Sequence, residues 1–174
     1  SDVYRRQGYA EMLKHGLIAD ADYFSALSSK SIDINDKMID HVRHSVRIKS
    51  QVVTEDPFEQ GLRKILNYGH TLGHAIETHF LEHPTKKHLL HGEAIAIGMI
   101  MEAELSSRTI NLTVEERDRI KTVFSSIYNP ISFTESDVTA IKGLLKHDKK
   151  NQSHQVRFVL SVSYTHLRAH ETSP

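Results

Sequence analysis

The chain has 174 residues, with 22 basic and 22 acidic side chains, 13 histidines and neither cysteine nor tryptophan. That length suits one domain that buries a core without staples, and the missing cysteines exclude a disulfide framework, a thiolate metal site, an iron–sulfur cluster and cysteine nucleophilic catalysis. Formal neutrality argues against a general nucleic-acid binder, and the longest apolar run, Ala94 to Met101, falls far short of the roughly 20 residues that span a bilayer.

At the N-terminus no charged-then-apolar leader precedes the rest, so the expectation is a cytoplasmic protein with no membrane partner. Ser1–Gln7 (SDVYRRQ) carries no helical period that continues into its neighbours. Met38, Ile39, Val42, Val46 and Val53 follow the three-to-four spacing of an amphipathic helix. Gly92–Ser107 is apolar on nearly every face in its first half, which predicts a buried, central helix. Thr113-Val-Glu-Glu116 has the form of a capping box before the helical run Ile120, Val123, Phe124 and Ile127. Asn129-Pro130 separates this helix from the next, because proline disfavours the helical region for the residue before it. Thr134-Glu-Ser-Asp137 opens that next helix, through Val138, Ile141, Leu144 and Leu145. Only Gln155–Leu160 (QVRFVL) alternates as a strand, and a lone strand needs a partner outside the chain or is accidental. Ser161–Pro174 (SVSYTHLRAHETSP), like the first seven residues, resembles translated adaptor or cloning read-through, so neither segment is expected to belong to the fold. The class is mainly α.

The strongest local chemistry is His70-Thr-Leu-Gly-His74. An i, i+4 pair puts both imidazoles on one helix face, which permits joint metal coordination and equally suits two polar groups at a helix contact. Thr71 stands where a metalloprotease needs glutamate, so peptidase chemistry is disfavoured. His91-Gly-Glu93 opens the buried helix, where the histidine either faces a cavity or lies on the surface. Glu11 lies beside Met12 and Leu13, whose burial would demand a partner for the carboxylate; Lys14 or a metal would serve, and a surface ion pair is the plainer account. Lys14, Lys49, Arg63, Lys149 and Lys150 are scattered cations that, if converged, would hold a phosphate ester or carboxylate.

Four motifs stand in order: GYAEMLKHGLI with Glu11 and Lys14, EQGLRKILNYGHTLGHAIE with Glu59, Arg63, Asn67, His70 and His74, LHGEAIAIGM with His91, and HDKK with Lys149 and Lys150. Together they resemble the C-terminal helical domain of 3-dehydroquinate synthase over about residues 8–160. The resemblance implies a helical, bundle-like domain with at most a short terminal strand, flanked by non-native residues 1–7 and 161–174. It implies Glu11, His70 and His91 as ligands of zinc or another divalent ion such as cobalt, a set that agrees with three protein ligands at a catalytic zinc. His74 then matches a proton-transfer base and Glu59 a second acid–base residue. Lys14, Lys49, Arg63, Asn67 and one of Lys149 and Lys150, taken as Lys149, match substrate contacts.

The implied reaction converts 3-deoxy-arabino-heptulosonate 7-phosphate to 3-dehydroquinate and phosphate in the shikimate pathway, with a bound NAD as transient oxidant. The family's NAD-binding domain has no counterpart here, since the eight glycines form no G-x-G-x-x-G. The expectation is therefore a fragment that does not turn over alone, from a parent that forms a homodimer. Two rivals remain: a related sugar-phosphate cyclase, of the 2-deoxy-scyllo-inosose or valiolone type, and a non-catalytic helical zinc-binding module.

Overall fold

The computed structural model describes residues 2–29, 36–147, 157–163 and 166–171. Within them the order is α1 (Asp2–Ala19), α2 (Ala21–Ser28), α3 (Asp36–Glu55), a 3-10 helix (Leu62–Asn67), α4 (His70–Glu82), α5 (His91–Thr109), α6 (Val114–Ile127), α7 (Glu135–His147), β1 (Arg157–Ser163) and β2 (His166–Glu171). The mainly α class forms as expected, and each helix read from periodicity is present.

Helix α5 is the hub. Ala94, Ile95, Ala96, Met99 and Ala103 are buried around it, and it packs against α1, α4, α6 and β1. A helix surrounded in this way needs no polar stripe, which is why its sequence shows none. The larger apolar core joins Leu13 of α1, Phe24 of α2, Ile95 and Met99 of α5 and Phe124 of α6. A smaller one joins Leu72, Ile76 and Phe80 of α4 to Ile141 and Leu145 of α7.

The α4–α5 seam is unusually close, and glycine makes it so. A side chain at Gly98 would begin 2.1 Å from the Gly69 carbonyl oxygen, and one at Gly73 would begin 2.6 Å from Ile95 Cδ1. Gly69 itself adopts φ +77°, where a side chain would also strike Met99 Cγ at 2.3 Å. Only glycine takes that conformation at little cost. Its N–H donates to Glu102 Oε2 at 2.8 Å, a buried carboxylate of α5, so the start of α4 is tied to α5 by both packing and a charge-assisted bond.

Caps set the other ends. Glu116 N–H donates to Thr113 Oγ1 and Thr113 N–H to Glu116 Oε2, each at 3.2 Å, the reciprocal pattern read from the sequence. Asp137 accepts from the Thr134 N–H at 2.7 Å, and also bonds His79 Nε2 at 2.7 Å and the Lys86 ammonium. One buried carboxylate thereby caps α7 and fastens it to α4.

Both ends of the chain differ from expectation. Helix α1 begins at Asp2, and Tyr128 Oη donates to the Arg6 carbonyl at 2.6 Å while the Arg6 guanidinium donates to the Ile127 carbonyl at 3.2 Å. The strand has its partner inside the chain: β1 pairs antiparallel with β2, Val159 opposite Ala169 and Leu160 opposite Arg168. Val159, Leu160 and Ser161 are buried, and Ser161 N–H donates to Ser106 Oγ of α5 at 3.0 Å. Strand pairing runs through backbone groups, so the weak alternation of HLRAHE did not announce it. Gln155 and Val156 lie outside the described residues. Among the described residues no helix is long and apolar enough to cross a membrane.

Candidate metal centre

His70 opens α4, His74 lies one turn on, and His91 opens α5. Among the described residues these three offer one ligand atom each, all within 4.8 Å of one another. The i, i+4 spacing stacks the first two, and the glycine seam brings the third within reach. Ring centroids are 5.4 Å apart for His70–His74, 5.7 Å for His74–His91 and 6.2 Å for His70–His91. Glu11 of α1 stands at the edge, its Oε1 3.6 Å from His70 Nε2 and its Oε2 accepting from Lys14 Nζ at 2.8 Å.

The histidines are held differently. His70 Nδ1–H donates to the Tyr68 carbonyl at 3.1 Å and His91 Nδ1–H to Glu77 Oε2 at 2.9 Å; a carbonyl and a carboxylate can only accept. With the proton on Nδ1, each neutral ring keeps an Nε2 lone pair free. Among the described residues no hydrogen bond holds the His74 ring, which is exposed.

Burial first, and then the Lys14 charge, push the His70 pKa down to about 4, which keeps the ring neutral and able to ligate near neutral pH. Burial alone would raise Glu11, but the charge and hydrogen bond of Lys14 outweigh it and hold the carboxylate below its ordinary value. Burial pulls Lys14 down, helped by Lys49 and opposed by Glu11.

Three imidazoles with a carboxylate oxygen at their edge, and no sulfur, offer the donor types that suit a zinc-type divalent ion. Ligands about 2.0–2.2 Å from one tetrahedral ion lie roughly 3.3–3.5 Å apart, close to the 3.6 Å between Glu11 Oε1 and His70 Nε2. The residues fit the ion. They do not fit NAD: among the described residues the strands form one antiparallel hairpin, with no strand–turn–helix to cradle a dinucleotide.

The other expected residues fall in two places. Lys14 is buried at the site, on Glu11, and exposed Lys49 of α3 is near enough to depress Lys14. Glu59, Arg63 and Asn67 form a separate segment before α4. Asn67 Nδ2 donates to Glu59 Oε1 at 2.7 Å, Arg63 Nη1 donates to the Pro57 carbonyl at 2.9 Å, and Glu59 sits at φ 55°. Asp56 organises this loop by accepting the N–H groups of Gly61, Gln60 and Arg63, which hold its carboxyl below the usual range. Lys149 and Lys150 lie outside the described residues.

Sequence reasoning missed two groups. Glu77 stands three residues after His74 and seven after His70, on the same face of α4, a spacing that could have found it. His15 is buried, its Nδ1 2.6 Å from Ser45 Oγ and its Nε2 without a hydrogen-bond partner among the described residues. Beside the histidines a cleft of about 580 Å³ runs between α4 and α7, with His74, Glu77, Thr78 and Leu144 in its wall.

Residues 8–151 match the family model described as 3-dehydroquinate synthase C-terminal. The chain is 35% identical over 167 residues to the 3-dehydroquinate synthase of Parabacteroides distasonis, covering 95% of this chain and 47% of that protein. It is 39% identical over 161 residues to the 3-dehydroquinate synthase of Acidithiobacillus ferrooxidans, covering 89% and 43%. The chain thus spans a little under half the length of these relatives. Its fold matches 2-deoxy-scyllo-inosose synthase complexed with carbaglucose-6-phosphate, NAD+ and Co2+, at TM-score 0.69 and 24% identity, over 95% of this chain and 48% of that one. It also matches 2-epi-5-epi-valiolone synthase from Streptomyces hygroscopicus with NAD+ and Zn2+ bound, at TM-score 0.69 and 20% identity, over 98% and 48%. With most of its length matched by that family model and two long alignments beside it, the chain belongs to the 3-dehydroquinate synthase C-terminal family.

Proposed function

We propose that the chain is the metal-holding part of a 3-dehydroquinate synthase, which converts 3-deoxy-arabino-heptulosonate 7-phosphate to 3-dehydroquinate and phosphate in the shikimate pathway. The observation that carries this reading is the convergence of His70, His74 and His91 with Glu11 at their edge, in a chain related at 35% and 39% identity to enzymes of that name. The domain is taken as residues 8–160, a span supported by the match over 8–151; residues 1–7 and 161–174 are taken as non-native additions.

In this reading Glu11, His70 and His91 hold a divalent ion. When bound, such an ion polarises a substrate hydroxyl and lowers its pKa. Glu11, kept ionised by Lys14, and His70, kept neutral by burial, present the protonation states a cation requires. His74, exposed and held by no hydrogen bond among the described residues, can turn its ring, as a proton-transfer group must between donor and acceptor. Glu59, bonded to Asn67, is the second acid–base candidate. Lys14, Lys49, Arg63 and Lys149 supply positive charge for a carboxylate and a phosphate, and Asn67 a polar contact. NAD is taken to be bound mainly by an N-terminal domain of the parent enzyme. The parent is taken to be a cytoplasmic homodimer.

The assay is phosphate release from the heptulosonate phosphate in the presence of NAD. The parent enzyme turns over this acid, and the 174-residue chain alone does not. Turnover by the parent of neutral sugar phosphates only would move the reading to a 2-deoxy-scyllo-inosose or valiolone type cyclase, whose fold this chain shares. Release by the chain alone would overturn its inactivity.

A further inference from the structure

The two imidazoles with a free Nε2 owe that state to different partners. His70 is held by the backbone carbonyl of Tyr68, which no substitution removes. His91 is held by a side chain, Glu77 Oε2, at 2.9 Å. Because His91 is the first residue of α5, no preceding turn of its own helix packs over it, and its side chain is 33% exposed. Packing alone therefore leaves the ring free to rotate and to exchange tautomers. The Glu77 carboxylate is anchored on α4, on the face that carries His70 and His74. It lies next to the N-terminal end of α5, where aligned backbone N–H groups favour negative charge.

We propose that Glu77 is a positioning residue of the metal centre: it fixes His91 as the Nδ1–H tautomer and aims Nε2 toward the point faced by His70 Nε2 and Glu11. A carboxylate on the far nitrogen of a ligating histidine sets ring orientation and raises its basicity as a ligand. Glu77 touches no substrate in this account and acts only through His91. The inference rests on the metal reading above, and its test separates the two.

Long-range proton–nitrogen NMR of the metal-free chain, above the imidazole titration range, reads the His91 tautomer directly. Nδ1–H is expected in the native chain and in Glu77→Gln, whose amide oxygen still accepts the bond. Nε2–H, the form imidazole prefers when unconstrained, is expected to gain in Glu77→Ala. Zinc titration of the same proteins is expected to give a Kd raised about 10–100-fold in Glu77→Ala, with most of the affinity recovered in Glu77→Gln. Glu77 is partly exposed, and circular dichroism spectra of the variants are expected to match that of the native chain. A native His91 in the Nε2–H form, or a Glu77→Ala variant with native tautomer and zinc affinity, overturns the proposal. The control is His91→Ala: if it loses zinc while Glu77→Ala does not, only the positioning role falls; if it keeps zinc, the metal reading falls as well.

Discussion

Lys14 Nζ sits 2.8 Å from Glu11 Oε2, the carboxylate oxygen turned away from His70. The ammonium is nearly enclosed, with its side chain 3% exposed, whereas Glu11 is 32% exposed. Lys14 therefore does more than a surface i, i+3 partner: it neutralises a carboxylate that faces the histidines and leaves the other oxygen open.

Replacing Lys14 by methionine removes the counter-charge and leaves Glu11 half-buried and unpaired. The metal-free chain is predicted to lose about 1–3 kcal/mol, and saturating zinc is predicted to recover much of this by giving the carboxylate a new cation. Urea unfolding with and without zinc checks it; an equal deficit under both conditions would count against a cation beside Glu11.

The α4–α5 seam makes a second prediction. Gly69→Ala forces a side chain into a left-handed position and against Met99, at a cost on the order of 3 kcal/mol. Because Gly69 precedes His70, zinc affinity should fall together with stability. Gly8→Ala, which meets nothing within 4 Å, is the control and should be neutral or slightly stabilising in its helix. A Gly69→Ala chain with native unfolding midpoint would contradict the packing argument.

Much of this architecture was legible in the sequence. The buried character of α5, the Thr113 capping box and the His70–His74 face follow from local spacing, which a chain carries openly. The approach of His91 to His70 was not derivable from spacing, because it depends on Gly69, Gly73 and Gly98 meeting across two helices. The motif resemblance supplied it. Glu77 was overlooked although its spacing was available, since a glutamate on a helix face usually signals only solvent. The pairing of β1 with β2 was missed because backbone hydrogen bonding leaves little trace in composition.

A third prediction concerns pH. Burial, followed by the Lys14 charge, lowers the His15 pKa from 6.5 to about 4. The unfolded chain therefore binds more protons than the folded one between these values, so stability is full above about 6.5 and declines as pH falls toward about 4. The decline attributable to His15 is about 3 kcal/mol. His70, lowered to about 4 as well, adds its own loss over the same range, so the comparison is with His15→Gln, whose stability should fall less between these values. Parallel profiles for the two proteins would contradict the burial argument.

The fourth concerns Asp137, held well below the usual carboxylate range by Lys86 first, then by the Thr134 amide and His79. Asp137→Asn is predicted to lower the melting temperature and to raise amide exchange in α7 more than in α5, since α7 packs chiefly on α4. Uniform exchange across both helices would show that the clamp is not local.

The central claim is that Glu11, His70 and His91 hold one divalent ion, and cobalt titration of the chain followed by visible absorption tests it most directly. The account predicts saturation at a single ion with the intense bands of low-coordinate cobalt, abolished in His70→Ala and in His91→Ala and weakened in Glu11→Gln. Uptake by His70→Ala equal to that of the native chain would contradict it.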